Sequence, residues 1–323
     1  MKRYFPIKEI IHIWKKNWPE QKSFLIDKLA KIKSVLNGKS ELKNLFKKEY
    51  VVGLDIGTYS IKMVRCALTL DGGLSVEDFI FREDVDTNIE SLLAELSRDI
   101  NFKNSKIIVG INCKNTLTKI FTIPFIPQNE LYECISLVAE EYFSFPISDA
   151  YLDFEILDVI EEEGIQKYKV LTIISPKATV EKYYSLLKSV NINPDLFVPV
   201  SYALCSFISS CNEENKINSI IDIGHASTEL VICRGEEILL SRKILVAGID
   251  FTKAMMTELV SNKKTIHLSH EEAQKIKHEV GIPLANVHKL INKKITTSQI
   301  LAITRMSLDQ IINEISNCLD IPL

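Results

Sequence analysis

Long apolar runs are missing from this sequence. No stretch of about 18 or more apolar residues occurs, which excludes a membrane-spanning helix of ordinary length. The start, MKRYFPIKEIIHIWKKNW, is basic, but Lys8, Glu9, Lys15 and Lys16 interrupt its apolar residues. It has neither a signal-peptide core nor a small-residue cleavage site, so the chain is expected to stay in the cytosol. No C-x-x-C pair occurs either. The seven cysteines (Cys66, Cys113, Cys134, Cys205, Cys211, Cys233 and Cys318) are scattered through apolar segments. That spacing argues against a disulfide framework or a zinc site and for small core residues in a reducing compartment. His267, His270 and His278 lie near Glu271 and Glu272, but the glutamates suit a helix N-terminus better than a zinc site. Two common phosphate-binding devices are also missing: there is no G-x-x-x-x-G-K-[ST] and no strand-to-helix G-x-G-x-x-G.

The chain has 323 residues, 46% hydrophobic and 25% charged, enough for two soluble domains of ordinary size. Its net charge of −3 hides an asymmetry. Residues 1–50 hold 13 Lys+Arg against 5 Asp+Glu, and the remainder 26 against 37. A basic arm, residues 1–48, therefore precedes an acidic body. Ile7, Ile10, Ile11 and Trp14 fall on one helical face of the arm, and Phe24, Leu25, Leu29, Ile32 and Leu36 form a second stripe. Apolar residues opposite lysines suit an anionic membrane surface, here through residues 1–36, or equally the protein's own body or a partner.

From Tyr50 the pattern turns β-rich. YVVGLDIG, SIKMVRCALTL and LSVEDFIFRE predict a three-stranded antiparallel meander. NIESLLAELSRDI has helical spacing, and SKIIVGIN predicts a short buried strand. A compact unit follows in the order β-α-β-β-α, with Asn129 as the expected cap of its first helix. After the polar linker SSCNEENKINS, IIDIGHASTELVICRGEEILLSRKILVAG again predicts strand, turn, strand, turn, strand. From Asp250 to the end the pattern is almost entirely helical, with Ser269 and Glu272 spaced as a capping box.

The two meanders align from their aspartates: Asp55 with Asp222, Gly57 with Gly224, Ser60 with Ser227, Val64 with Val231. A glycine at such a tip lets backbone N–H groups approach an anion closely. Hydroxyls at Thr58, Ser60, Ser227 and Thr228 can donate to phosphate oxygens, and Lys62 can add a cation. Asp55 and Asp222 cannot favourably touch phosphate, but each can hold Mg²⁺ through water. One D-x-G-[ST] stretch could be a plain β-turn. Two matched copies, one in each half, point to two related domains that bind phosphate.

These residues resemble the actin-like ATPase superfamily, whose two phosphate motifs the hairpins match. Within it the chain, from about Tyr50 to near Leu323, is similar to the PilM family of type IV pilus assembly proteins, itself related to FtsA. IPFIPQNELYECISLVAEEYFSFPISDAYLDFEIL, LLKSVNINPDLFVPVSYAL and AGIDFTKAM with SHEEAQKIKHEVG carry the likeness.

The resemblance implies an α/β, two-lobed actin-like (ribonuclease H-like) fold. Residues 49–116 and 192–215 would form the first lobe (1A), 117–191 an inserted α+β 1C (SHS2-type) subdomain, and 216–323 the second lobe. It further implies ATP with Mg²⁺ held between the lobes, weak ATPase activity at most, and a scaffold role at the cytoplasmic face of the inner membrane. The implied partners are the pilus or secretion machinery and the cytoplasmic tail of a PilN-like membrane protein, bound between 1A and 1C. Self-association is compatible with this role, and no nucleic-acid partner is expected. Gly248, Gln274 and Lys277 occupy the family's positions next to the second phosphate motif and the ribose. Two departures stand out: Ala247-Gly248 replaces paired glycines, and Gln274 replaces a glutamate. The sequence stops at SNCLDIPL, before the strand and glycine pair that would contact adenosine, so the second lobe reads as incomplete. The alternatives are an FtsA-like filament protein, a secretion-platform relative without nucleotide, or a small-molecule kinase on the same fold. For the last, the only other cleft carboxylates are Glu140 and Glu141, which read as a solvated face.

Overall fold

The computed structural model describes residues 50–69, 74–83, 89–112, 116–142, 145–211, 216–235, 237–256, 259–261, 264–283, 289–291 and 294–319. The basic arm, with its two apolar stripes and its expected membrane contact, lies outside the described residues, as does Cys113. The chain divides into two compact units, Met1–Ala203 and Leu204–Leu323.

In the first unit, β1 (Tyr50–Ile56), β2 (Ser60–Leu68) and β3 (Leu74–Glu83) form the expected antiparallel meander. β4 (Ser105–Ile111) pairs parallel with β1, and β8 (Leu196–Pro199) pairs parallel with β4, giving the order β3-β2-β1-β4-β8. A parallel neighbour needs a crossover, and helix α1 (Ile89–Asp99) lies in that connection. Alternation drives the packing: Val52, Leu54, Ile56, Ile61, Met63, Ile107, Val109 and Ile111 are buried together with Leu93 and Leu96 of α1. The Asp195 carboxylate accepts from Ile107 N at 2.7 Å, and Asp195 N donates back to Ile107 O at 2.8 Å, fixing the start of β8 against β4.

Between β4 and β8 lies a separate antiparallel sheet, order β5-β7-β6, built from β5 (Leu117–Pro124), β6 (Ala150–Glu162) and β7 (Ile165–Pro176). Helix α2 (Leu131–Glu140) buries Leu131 and Ile135 against Ile123 and Val170 of this sheet. Helix α3 (Lys177–Ser189) completes the β-α-β-β-α order. Asn129 does not cap α2. The N-cap position falls on Glu130, in helical conformation and without a side-chain cap. Glu130 N donates to Pro127 O at 3.0 Å, so the helix is entered through a backbone turn.

Helix α4 (Val200–Cys211) runs across the unit boundary. The second unit opens with the meander β9 (Ile217–Ile223), β10 (Thr228–Arg234) and β11 (Glu237–Ile244), order β11-β10-β9. Its remainder is less helical than the sequence pattern indicates. Helices α5 (Gly248–Met255), α6 (His270–Val280) and α7 (Thr297–Leu319) are interrupted by two small hairpins. One pairs β12 (Leu259–Ser261) with β13 (Lys264–Ile266), and the other pairs β14 (Leu290–Ile291) with β15 (Ile295–Thr296). Strands of two or three residues are too short to show a period of two in sequence. The capping box at α6 is present: Ser269 Oγ accepts from Glu272 N, and the Glu272 carboxylate accepts from Ser269 N, both at 3.1 Å. Among the described residues, no helix is long and apolar enough to cross a membrane.

Candidate functional site: two matched hairpin turns

The sequence repeat is a repeat in three dimensions. In the first hairpin Gly57 N donates to Ser60 O at 2.9 Å, and in the second Gly224 N donates to Ser227 O at 3.0 Å. A Cβ on either glycine would stand 2.9 Å from that serine carbonyl oxygen. Both turns therefore demand glycine for their own closure, before any ligand is considered. The match continues along the strands. The β2–β3 register shifts between Arg65 and Cys66, and the β10–β11 register shifts between Ile232 and Cys233, the same position counted from the aspartate.

The aspartates differ in their surroundings. Asp55 stands opposite Lys62 on the neighbouring strand, and Lys62 Nζ donates to its Oδ2 at 3.1 Å. Lys62 thus partly neutralises the first aspartate, a role the sequence did not show. At the equivalent place in the second hairpin, exposed Asp222 faces Glu229. Glu229 is buried and accepts from Ser241 Oγ at 3.1 Å. Loss of solvation raises its carboxyl pKa. The Lys243 cation and the Ser241 hydrogen bond oppose this, and the Asp222 charge adds to it. The first aspartate has a cation directly opposite it, while the second has a buried carboxyl there, with the Lys243 cation one strand further on. No three metal-ligating side chains converge among the described residues. A divalent ion at such tips would take most of its ligands from phosphate and water, which suits Mg²⁺.

The hydroxyls also divide. Thr58 is exposed at the first tip, while Ser60 and Ser227 are half-buried beside their glycines. Thr228 is fully buried, and its hydroxyl donates to Val246 O at 2.8 Å, tying β10 to the chain leading into α5. The second loop is backed by that helix. Gly248 N donates to Gly224 O at 3.0 Å, and Ile249 N donates to His225 O at 2.8 Å. Two of the first donors of α5 thus hold the loop itself. A Cβ on Gly248 would lie 3.1 Å from Gly224 O, so the close approach here is between backbone and backbone.

Gly248, Gln274 and Lys277 come together around a residue the sequence reading missed, Thr252. Its side chain is fully buried. Lys277 Nζ donates to Thr252 Oγ1 at 2.9 Å and to Gly248 O at 3.1 Å. The Thr252 hydroxyl donates to Gln274 Oε1 at 2.9 Å, and Gln274 Nε2 lies 3.1 Å from His278 Nε2. Burial lowers the Lys277 pKa. The i, i+3 and i, i+4 spacing of Gln274, Lys277 and His278 was visible in sequence. The residue that joins them on a different helix was not.

These turns and sheets define an α/β protein of actin-like fold. The family described as type IV pilus assembly protein PilM matches residues 53–305, and this chain belongs to it. Among solved structures it is similar to a PilM–PilN type IV pilus biogenesis complex. The identity is 21%, the match covers 84% of this chain and 76% of that one, and the TM-score is 0.65. Weaker likenesses extend to MreB5 of Spiroplasma citri bound to AMPPNP (13% identity, 85% and 80% coverage, TM-score 0.49). They extend also to the cytoplasmic domain of EpsL, an inner-membrane component of the type II secretion system of Vibrio cholerae (10%, 67% and 78%, 0.41). The chain is thus an actin-like protein of type IV pilus assembly.

Proposed function

We propose that this protein is a cytoplasmic, nucleotide-responsive scaffold at the inner membrane. It takes ATP with Mg²⁺ through its two hairpin turns and the cytoplasmic tail of a PilN-like membrane protein through its first unit. The observation that supports nucleotide binding most directly is the recurrence of one turn in both units, with the same Gly N–H to Ser carbonyl closure and an aspartate at each tip. In this reading Asp55 and Asp222 hold Mg²⁺ through water, and Thr58, Ser60 and Ser227 donate to phosphate oxygens. Lys277 and Gln274 flank the second turn and face the sugar. Asp55 and Asp222 are taken up with the ion in this reading, and bound nucleotide acts as a conformational ligand more than as fuel. The partner tail is assigned between the five-stranded sheet layer (1A) and the inserted three-stranded layer (1C); membership of the PilM family and the likeness to a PilM–PilN complex support the partner's class.

Titration of labelled ATP with Mg²⁺ against the parent, Asp55→Ala and Asp222→Ala tests the nucleotide reading. Affinity lost in both variants, with turnover near background, supports it. Rapid turnover with an acceptor would sink it. A nucleotide-free platform is the second reading, favoured by Thr228, Gly248 N and Lys277 all having internal hydrogen-bond partners. It predicts no binding by the parent. A synthetic cytoplasmic tail of a PilN-like protein, titrated in the same experiment, tests the partner.

A further inference from the structure

The two repeats are covered differently. In the second unit, α4 covers part of the meander face that carries Asp222: Cys205 of that helix lies against Cys233 of β10, and both are buried. Ile238, opposite Cys233 on β11, is 4% exposed. The equivalent face of the first unit carries Asp55, Val64 and Cys66, and Val76 stands opposite Cys66 on β3. Val76 is 65% exposed, and Leu74, Phe79 and Phe81 of the same strand are exposed beside it. No described residue closes this strip, whereas Val231, Cys233 and Ile238 on the corresponding face of the second unit are buried, with half-buried Ser241 and Lys243 at the places of Phe79 and Phe81.

The internal repeat indicates what closes it. The helix that covers the second meander stands immediately before that meander's first strand. The segment immediately before β1 is the basic arm, whose stripe Phe24, Leu25, Leu29, Ile32 and Leu36 is spaced as one helical face. We infer that this stripe of the chain's own arm packs on the apolar face of β1–β3, as α4 does on β9–β11. The arm joins at Tyr50, which pairs with Ala67, next to the Leu68–Leu74 end of the strip. The 13 residues between Leu36 and Tyr50 can span roughly 40 Å, more than the roughly 30 Å length of β2. On the strip's own face β3 ends in Glu83, an anion for the lysines of the arm, while Glu77 pairs with Arg65. Covalent attachment gives the arm a high effective concentration over any separate partner.

Cys66 is a native reporter of this face. The experiment is pulse labelling of the full-length chain with N-ethylmaleimide at low protein concentration, read by peptide mass spectrometry. Cys66 is expected to label at least about ten times faster in a Leu25→Glu, Leu29→Glu, Ile32→Glu variant than in the parent, while Cys205 and Cys233 stay equally protected in both. Equal Cys66 rates overturn the inference. So does protection in the parent that disappears on dilution, which means a second copy covers the face, or that requires anionic phosphatidylglycerol vesicles, which means a membrane does. An independent arm of the test introduces Leu29→Cys alone, with native Cys66 as its partner, and a short-spacer bismaleimide, read as a linked pair of peptides holding positions 29 and 66. An intramolecular cross-link is expected, and its absence refutes the packing without relying on the charged variant.

Discussion

Replacing Thr252 with valine tests the hydrogen-bonded cluster behind the second turn. Valine keeps the β-branch, so helix α5 and its packing are preserved while the hydroxyl is lost. The Lys277 ammonium then keeps Gly248 O and loses its 2.9 Å acceptor, and Gln274 Oε1 loses its donor. A hydrogen bond to a charged group contributes about 1.5–3 kcal/mol and a neutral one about 1 kcal/mol, partly offset because the hydroxyl no longer has to be buried. The expected loss is about 2 kcal/mol. Native-state hydrogen exchange of the α5 and α6 amides reads it locally, without assuming that the two units unfold together.

The pH dependence supplies the sign. Burial holds the folded pKa of Lys277 below its ordinary value of 10.5. Between the folded value and 10.5 the unfolded chain binds more protons, so local stability rises with pH across that window. Removing an acceptor of the charged form lowers the folded pKa further, so the deficit of Thr252→Val should shrink as pH approaches 10.5. Thr304→Val is the control, since that buried hydroxyl bonds only carbonyls of its own helix, the nearer being Ile300 O at 2.7 Å. A loss below about 0.5 kcal/mol for Thr252→Val, or an equal loss for Thr304→Val, refutes the role given to Thr252.

Two further outcomes follow from the hairpins. Glu229→Gln should leave stability at neutral pH unchanged or raised, because glutamine still accepts from Ser241 while the buried charge is gone. The folded pKa of Glu229 lies above its ordinary 4.5, so the parent loses stability as pH rises through that window. Urea midpoints between about pH 4.5 and 7 should show a flatter slope in the variant, and an unchanged slope contradicts the assignment. Gly57→Ala and Gly224→Ala should each cost about 1–3 kcal/mol, because the new Cβ would stand 2.9 Å from a backbone oxygen that no side-chain rotation can move. Gly110→Ala, whose Cβ would meet nothing closer than 3.7 Å, should cost less in the same unfolding assay.

The sequence by itself determined what depends on near neighbours. Alternation in YVVGLDI and SIKMVRCAL set the meander, because side chains alternate faces along a strand. The D-x-G-x-x-S spacing set both turns, because only glycine fits against the serine carbonyl. Ser269 and Glu272 set the start of α6. The family was legible for a similar reason: contiguous stretches such as IPFIPQNELYECISL and AGIDFTKAM carry its likeness, beside the two turns.

Tertiary packing decided which polar groups face outward and which are taken up inside. Thr228 read as a phosphate donor, yet its hydroxyl holds Val246 O. Lys62 read as a cation for a ligand, yet it also holds Asp55. Glu229 and Thr252 gave no signal, since their environments are made by Lys243 and Ser241 across a strand and by Gln274 and Lys277 on another helix. Hydrogen-bond partners more than a few residues apart are fixed only when the sheet and helices close, so no local pattern records them.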